Sequence, residues 1–490
     1  MNLLAQFLAY ANKVFHLNRL VRTVRDRRPY PVIPTRPVVV CLLLAAVLRV
    51  DSYLAAAQQT KRRRWRRLSH WGQPLSDDTL AYVAERLQLE DLRQTLAAVA
   101  RQLKTNKALE SCKINGLLWV SLDANEHFAS RSRCCPDCCQ RTLTETDAGG
   151  QAHAVIEYYH RYVFAQINGP KLNVVLDLEP IRPGEGEAAA ALRLLGRLRR
   201  VYGPRFFDAV TIDAWYVQGP FLQAVTKLGW DWVVVLKQEA LAIFQEARAL
   251  SQGQKPQLAF HDPVRQRDVQ LWAVDDLTLS DTYPEPVRVV HACEQWTERK
   301  IIGGRKTTRP QSSDWWWIAS PRLHAYPVTV VYHAGHRRWG IENKAFNELT
   351  QGYHLEHCYH HEPVAMLAQM LILLLGFVLF NAFAALHCQP LRLGQMSLKE
   401  LAHQLDLALE EDLPWDQWFA CGETGGPVRP KGRCSLTISP SKKSGAHDCG
   451  ETVVVNRREN GKITPAAPAQ PSQFHRPRRQ AGKSPTLRNR

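Results

Sequence analysis

The sequence has few cysteines and few acidic side chains for a chain of its length. Twelve cysteines among 490 residues are too few for a disulfide framework, which excludes the small disulfide-stabilised secreted proteins. The opening residues Met-Asn-Leu-Leu-Ala-Gln-Phe contain neither a basic leader nor a long apolar run before a small-residue cleavage site. These two features predict a reducing, cytoplasmic location.

Acidic residues are outnumbered by basic ones, 46 to 63, which gives the chain a net charge of +17. A soluble chain with this surplus usually has an anionic partner; nucleic acid is the first expectation and a membrane surface the second. Hydrophobic residues at 45% and charged residues at 22% exclude a chain that is disordered throughout, and the length indicates two or three folded units.

Residues 363–389 contain no Asp, Glu, Lys or Arg. The segment is long enough to cross a membrane. However, Gln369, Asn381 and His387 interrupt it, it is the only segment of its kind, and no asymmetry of basic residues flanks it. We therefore predict a buried core helix, and a membrane protein built around this segment remains as a rival.

Residues 1–110 have apolar positions at helical spacing and are predicted to form a helical DNA-binding region. Within it, residues 61–67 include six basic side chains in seven positions, and Ser76 is a predicted helix cap. The basic run is typical either of contact with a DNA backbone or of a solvated charged face. This segment alone does not favour one over the other.

From Gly116 onwards the pattern changes to short buried strands, two of which end in an acid. Their order with the helices indicates a mixed α/β sheet: strands at 117–123, 153–168, 171–181, 207–213 and 230–237, with helices at 186–202 and 217–228.

The predicted organisation continues along the chain: the first part of this α/β domain at 115–240, a β-rich insertion at 241–325, the last part of the domain at 326–390, a helical segment at 391–425 and a basic disordered tail at 426–490. Residues 427–490 hold 14 Lys and Arg against 3 acids, a net charge of +11.

Asp123 and Asp213 end two strands that this topology places side by side. Two carboxylates at neighbouring strand ends suit Mg²⁺, which prefers hard oxygen ligands. A single aspartate at a strand end is more often a cap or a turn former. It is the pair, in this strand order, that favours a metal site.

Arg338 and Glu342 lie four residues apart, so on a helix they share a face. Glu342 could be the third carboxylate of a two-metal site while Arg338 grips a phosphate. An ordinary helical salt bridge explains the same spacing, and spacing alone favours it. The adjoining positions form an apolar stripe: Ile341, Ala345 and Leu349.

Three motifs in this order resemble the DDE transposases of bacterial insertion sequences, specifically the large group marked by a Tyr-x2-Arg-x3-Glu-x6-Lys signature. The motifs are Val120-Ser121-Leu122-Asp123, Thr211-Ile212-Asp213-Ala214-Trp215-Tyr216, and Arg338-Trp339-Gly340-Ile341-Glu342-Asn343 with Phe346-Asn347-Glu348-Leu349. The third motif is the most specific, and the resemblance covers about residues 115–385.

The resemblance implies a ribonuclease-H-like fold and a reaction in two stages. DNA would be cut at the element ends, and the freed 3′ hydroxyl would then attack target DNA. Asp123, Asp213 and Glu342 would be the catalytic residues and the ligands of Mg²⁺ or Mn²⁺. The partner would be double-stranded DNA, bound by a homodimer, without a membrane. The implied DNA-binding residues are Arg338, Arg337, Lys344 and Trp339.

Two positions depart from the signature. Gly335 stands where the signature has tyrosine, and Leu349 stands where it has lysine. Both signature residues serve phosphate contacts in the family, so Arg337 or Lys344 is expected to substitute for them. The departures also sustain a rival interpretation, a catalytically inactive DNA-binding protein derived from a transposase.

A cysteine cluster contains the Cys-x2-Cys spacing of one half of a structural Zn²⁺ site: Cys134, Cys135, Cys138 and Cys139. No matched second pair is evident, although three histidines are close in sequence: His127, His153 and His160. Two interpretations stay open, a structural zinc site at the four cysteines or free thiols in a surface loop.

The run Trp315-Trp316-Trp317 is predicted to pack within the inserted sheet, and stacking on a flipped base near the cut is the alternative. Four histidines follow the Glu342 helix at a spacing that suggests metal ligands. Without a fixed helical face they are interpreted as loop or capping residues: His354, His357, His360 and His361.

Overall fold

The structure is a computed structural model, and it describes residues 2–146, 150–302, 305–392 and 394–409. The predicted tail at 426–490 lies outside the described residues, as does the part of the predicted helical segment beyond residue 409. Two helices fall in the described part of that segment, α14 (Gln389–Arg392), which begins just before it, and α15 (Leu398–Leu407).

The first part of the chain is helical, as predicted. Ser76 is the helix cap that the sequence indicated, because its side-chain oxygen accepts a hydrogen bond from the Thr79 backbone N–H at 3.1 Å. The basic run falls largely in a short helix whose Trp65 is buried. The helices are α1 (Leu3–Phe15), α2 (Leu17–Arg22), α3 (Thr35–Val47), α4 (Tyr53–Thr60), α5 (Arg63–Ser69), α6 (Asp77–Ala84) and α7 (Leu89–Thr105).

Strands and helices then alternate. The strands are β1 (Trp119–Ser130), β2 (Cys139–Thr146), β3 (Ala152–Asn168), β4 (Asn173–Pro180), β5 (Ala209–Ile212), β6 (Asp231–Val235), β7 (Leu258–Asp262), β8 (Arg267–Leu277), β9 (Val287–Ile302) and β10 (Arg305–Ala319). The remaining helices are α8 (Glu187–Tyr202), α9 (Gly219–Lys227), α10 (Ala242–Ser251), α11 (Val328–Arg337), α12 (Asn347–Tyr353) and α13 (Pro363–Leu386).

The central part of the sheet has the strand order β4, β3, β1, β5, β6. β3 is antiparallel to both β1 and β4, whereas β5 is parallel to β1 and to β6. Three antiparallel strands followed by two parallel ones, with helices in the crossovers, are the ribonuclease-H-like arrangement. The predicted α/β fold class is therefore confirmed.

One strand, at residues 139–146, is not predicted from the sequence. β2 pairs antiparallel with the first half of β3, and most of its side chains are at least partly exposed. Because so few of its residues are apolar, this strand has no hydrophobic run from which it could be predicted.

The β-rich segment joins the central sheet directly. β10 pairs antiparallel with β6, with Trp317 opposite Val235, and the sheet continues through β9 and β8 to β7. Trp317 is fully buried and its two neighbours are partly buried, in keeping with the packing role predicted for this run.

Among the described residues, one helix, α13, is long and apolar enough to cross a membrane. Of its most apolar window, 89% is buried inside the protein. It packs against α3, α7 and β4, and a Cβ at Gly376 would lie 2.9 Å from Ala46 Cβ. One apolar core thus runs through the amino-terminal helices and the α/β layer. This is the buried core helix that the sequence predicts.

Candidate active site

The register of the two central parallel strands brings the first two acids to one edge. Ser121 on β1 lies opposite Thr211 on β5, and their hydroxyl oxygens are 2.9 Å apart. Asp123 and Asp213 each follow two residues later. Asp213 comes directly after the end of β5, whereas Asp123 lies within β1, opposite Phe164 of β3. The predicted strand end at residue 123 is therefore wrong, because β1 continues to Ser130. The predicted pairing of these carboxylates follows from this register.

Arg338 joins the third acid to the first. Its Nη1 donates to Asp123 Oδ2 at 3.2 Å, and its Nη2 lies 3.0 Å from Glu342 Oε1. The guanidinium side chain is only 1% exposed, so it bonds carboxylates rather than projecting into solvent. Arg338 lies 215 positions after Asp123 in the chain.

The backbone that carries Glu342 is a turn of π-helix over Ile341–Phe346, between α11 and α12. Single π turns within helices are rare and are frequent at functional sites. Ile341, Ala345 and Leu349 are fully buried and form the predicted apolar stripe. Gly340 packs against the Asn168 side chain, where a Cβ would lie 2.9 Å from Asn168 Cγ.

The pKa values of the two aspartates are shifted in opposite directions. Burial raises the pKa of Asp123 to about 7, and the nearby Glu342 carboxylate adds to the rise while Arg338 opposes it. Burial also acts on Asp213, but its hydrogen bond from the Ala214 backbone N–H and the charges of Arg338 and Lys237 hold its pKa below the ordinary value.

These carboxylates have the donor chemistry that a hard divalent cation needs. The side chains of Asp213 and Glu342 are 34% and 37% exposed, whereas that of Asp123 is 16% exposed. Two carboxylates therefore face solvent beside a third that is held in place by Arg338. The set fits Mg²⁺ or Mn²⁺, which take oxygen ligands and keep several waters.

Sequence reasoning missed Lys237, which follows β6 on the next parallel strand. Its Nζ lies 3.4 Å from Asp213 Oδ1 and 5.7 Å from the centre of the Trp339 ring. Trp339, predicted to bind DNA, thus borders the acidic site. A lysine at the end of a predicted strand, next to two strands ending in aspartate, was the available signal.

The other two predicted DNA-binding residues contact backbone carbonyls. Arg337 Nη1 donates to Cys112 O at 2.6 Å, and Lys344 Nζ donates to Gly169 O at 3.1 Å. Arg337 is partly buried, whereas Lys344 is exposed. They flank the site on the side of the β3–β4 turn.

Packing accounts for both departures from the signature. A Cβ at Gly335 would lie 2.6 Å from Trp317 Cδ1, so no larger side chain fits unless the buried tryptophan moves. Leu349 is fully buried in the core, where a lysine would leave an unpaired charge.

The predicted zinc ligands are corrected by the fold. Cys135 and Cys138 lie together with His160 and His361, whereas Cys134 is exposed and Cys139 Sγ donates to Ile181 O at 3.6 Å. Two of the four cysteines therefore leave the predicted set and two histidines join it. Of the other histidines, His354 and His360 contact Arg49 O and Glu85, as loop residues do.

Comparisons with known proteins bear on the family. Residues 170–379 match the family model of the transposase DDE domain, a span that includes Asp213 and Glu342. No curated protein matches the chain. The cryo-EM structure of a piggyBac transposase synaptic complex with hairpin DNA is 13% identical with a TM-score of 0.36, covering 83% of this chain and 80% of that chain. By this match, residues 170–379 of the chain carry a transposase DDE domain.

Proposed function

We propose that the chain catalyses Mg²⁺-dependent DNA strand cleavage at transposon ends and strand transfer into target DNA. Asp123, Asp213 and Glu342 are the proposed catalytic residues and metal ligands. The observation that carries the proposal is the buried Arg338 guanidinium, which holds Asp123 and Glu342 at one edge of the sheet beside the strand end that bears Asp213.

Each residue has a separate task in this proposal. Arg338 orients Asp123 and Glu342 and offsets part of their mutual repulsion. Asp213 and Glu342 present oxygens to solvent, where DNA and metal approach. Bound Mg²⁺ or Mn²⁺ would activate the attacking oxygen and stabilise the leaving one.

Four further residues are proposed to contact DNA. Lys237 and Trp339 lie at the rim of the acidic site, where a phosphate and its neighbouring base arrive. Arg337 and Lys344 are proposed to contact DNA at the β3–β4 turn.

The reaction conserves P–O bonds in both stages. Water attacks the phosphorus at an element end, the bridging 3′ oxygen leaves, and a free 3′ hydroxyl results. That hydroxyl then attacks a phosphodiester of target DNA, whose bridging oxygen leaves in turn. The proposed partner is double-stranded DNA held by a homodimer in the cytoplasm, and positioning and electrostatics supply the protein's contribution.

Glu342→Gln tests the proposal. The change removes one anionic oxygen and keeps the side-chain shape, so cleavage should fall by about 10³-fold or more, because a metal site supplies several kcal/mol of transition-state stabilisation. Cleavage of DNA from both flanks of the coding region is measured with Mg²⁺, Mn²⁺ or EDTA, beside binding of the same DNA.

Glu356→Gln is the matched control, since Glu356 is an exposed carboxylate on the same stretch of chain and should leave cleavage unchanged. Normal cleavage by Glu342→Gln would remove Glu342 from the site. Binding without any cleavage by the unmodified protein would favour the inactive DNA-binding rival.

A further inference from the structure

Four side chains from three separate parts of the chain converge beside the paired strands β1 and β3. Cys135 and Cys138 precede β2, His160 lies on β3, and His361 lies between α12 and α13. One donor atom from each lies within 4.8 Å of all the others. Cys138 and His160 are buried, and the other two are partly buried.

Five of the six spacings among these atoms are close to the edges of a tetrahedron around a metal ion. Cys135 Sγ and Cys138 Sγ are 3.7 Å apart, and the Nε2 atoms of His160 and His361 are 3.3 Å apart. The three closest sulfur–nitrogen distances are 3.2, 3.4 and 3.5 Å. For tetrahedral zinc, bond lengths of about 2.3 Å to sulfur and about 2.0–2.1 Å to nitrogen imply edges of about 3.8, 3.3 and 3.6 Å in the same order.

Hydrogen bonding among the four groups does not explain this arrangement. His160 Nε2 faces Cys135 Sγ, Cys138 Sγ and His361 Nε2 at once. One ring nitrogen carries either one proton or one lone pair and satisfies only one such partner. A cation at the centre satisfies all four donors together.

The local backbone also suits a metal-binding turn. The Cys135 N–H donates to Cys138 Sγ at 3.2 Å, and the Cys138 N–H donates to Cys135 O at 3.1 Å. The turn Cys135-Pro136-Asp137-Cys138 is thus closed on itself, with an N–H directed at a sulfur.

We propose that Cys135, Cys138, His160 and His361 form a structural Zn²⁺ site. Two thiolates and two imidazoles in tetrahedral order are the ligand set of structural zinc, closed by four protein ligands. The site cross-links residues up to 226 positions apart, from the turn between β1 and β2 to the segment that leaves the Glu342 helix. It would fix that segment against β1 and stand independently of the proposed cleavage reaction.

Metal analysis of the full-length, untagged protein, purified under reducing conditions without chelator, tests the site. We expect one zinc per chain by mass spectrometry of the metal content. Replacement by Co²⁺ should give the visible absorption of tetrahedral cobalt together with thiolate charge-transfer bands. These readouts do not depend on DNA cleavage, so their failure is distinguishable from failure of the proposed function.

Two sets of variants separate the ligands from their neighbours. Cys135→Ser, Cys138→Ser and His361→Asn should each lose zinc, whereas the matched controls Cys134→Ser and Cys139→Ser should retain one zinc per chain. His361→Cys supplies another zinc ligand and should retain the metal. Zinc retention by this variant would show that zinc loss in His361→Asn comes from the missing ligand and not from misfolding.

Three results would overturn the proposal. The first is an unmodified protein that holds no zinc and takes up neither Zn²⁺ nor Co²⁺, with or without a disulfide between Cys135 and Cys138. The second is zinc retained by the Cys135→Ser and Cys138→Ser double variant. The third is a stoichiometric metal other than zinc, which would overturn the assignment of zinc itself.

Discussion

Arg338 is a charged side chain with almost no exposed surface, and its pairing with two carboxylates explains why it can be buried. A buried guanidinium is costly unless it is paired and hydrogen-bonded. Here the partners are Asp123 and Glu342, which reach it from separate elements. The arginine and the acids therefore depend on one another, and lysine, with its single point charge, cannot replace the planar fork.

Gly335 gives a prediction at the same scale. Replacement of a mid-helix glycine by alanine normally stabilises a helix by about 1 kcal/mol. Gly335→Ala should instead destabilise the protein by about 1–3 kcal/mol, because the new methyl group meets the buried Trp317 ring and forces repacking. Urea unfolding at equilibrium measures the difference.

Gly196→Ala is the matched control for this change. Gly196 also lies within a helix, α8, and a Cβ there meets nothing closer than Arg200 Nη1 at 3.9 Å. Its replacement should raise the urea midpoint. Stabilisation of both variants to the same extent would contradict the role assigned to Trp317.

At the scale of elements, Glu294 ties the β-rich segment to the helix that leads into Arg338. Glu294 on β9 is fully buried and pairs with Arg265 and Arg267, while His336 Nε2 on α11 lies 2.7 Å away. Burial alone would raise the pKa of Glu294, but His336 and the two arginines lower it well below the ordinary value. The carboxylate is thus ionised at neutral pH.

Glu294→Gln should cost about 3–5 kcal/mol of folding free energy, because removing one partner of a buried ion network leaves the other charges uncompensated. Urea unfolding measures the loss. Glu285→Gln, an exposed glutamate in the same β-rich segment, should change stability by less than about 0.5 kcal/mol. Equal stability of the two variants would show that the network contributes nothing.

The elements also show where sequence reasoning succeeds. Contiguous patterns predicted α13, the strand end at Asp213 and the Ser76 cap, because each depends on residues close together in the chain. His361, Lys237 and β2 were missed or misread. Their roles come from contacts with residues far away in sequence, and neither spacing nor hydropathy carries that information.

At the scale of the whole molecule, the charge is unevenly spread. The last 64 residues carry +11 of the net +17 and lie outside the described part of the chain. Within it, Lys61, Arg63 and Arg67 are exposed, while the buried ring of Trp65 fixes the short helix that contains Arg63 and Arg67. The run is therefore anchored on one side and open to solvent on the other.

Replacing Lys61, Arg63 and Arg67 together by alanine should weaken DNA binding and flatten its salt dependence. If all three contact phosphates, the slope of log affinity against log salt should fall by about 2.7, since each contact contributes about 0.9. Binding titrations from low to physiological salt measure the slope.

A triple variant at exposed basic residues elsewhere controls for net charge alone: Arg200, Lys227 and Lys255. It removes the same charge but should change the slope much less. An unchanged slope in the 61–67 variant would leave the run as a solvated charged face, the other interpretation that the sequence allows.

The pairing of β10 with β6 has a mechanical consequence. β9 alone has 16 residues, which at about 3.3 Å per residue amounts to about 50 Å of extended ribbon. Its partner strand β10 hydrogen-bonds to the parallel strand that leads to Lys237. A pull on the far end of the ribbon is therefore carried by covalent backbone and ladder hydrogen bonds to the edge where the acids lie. The ribbon is therefore a direct extension of the sheet that carries the acids.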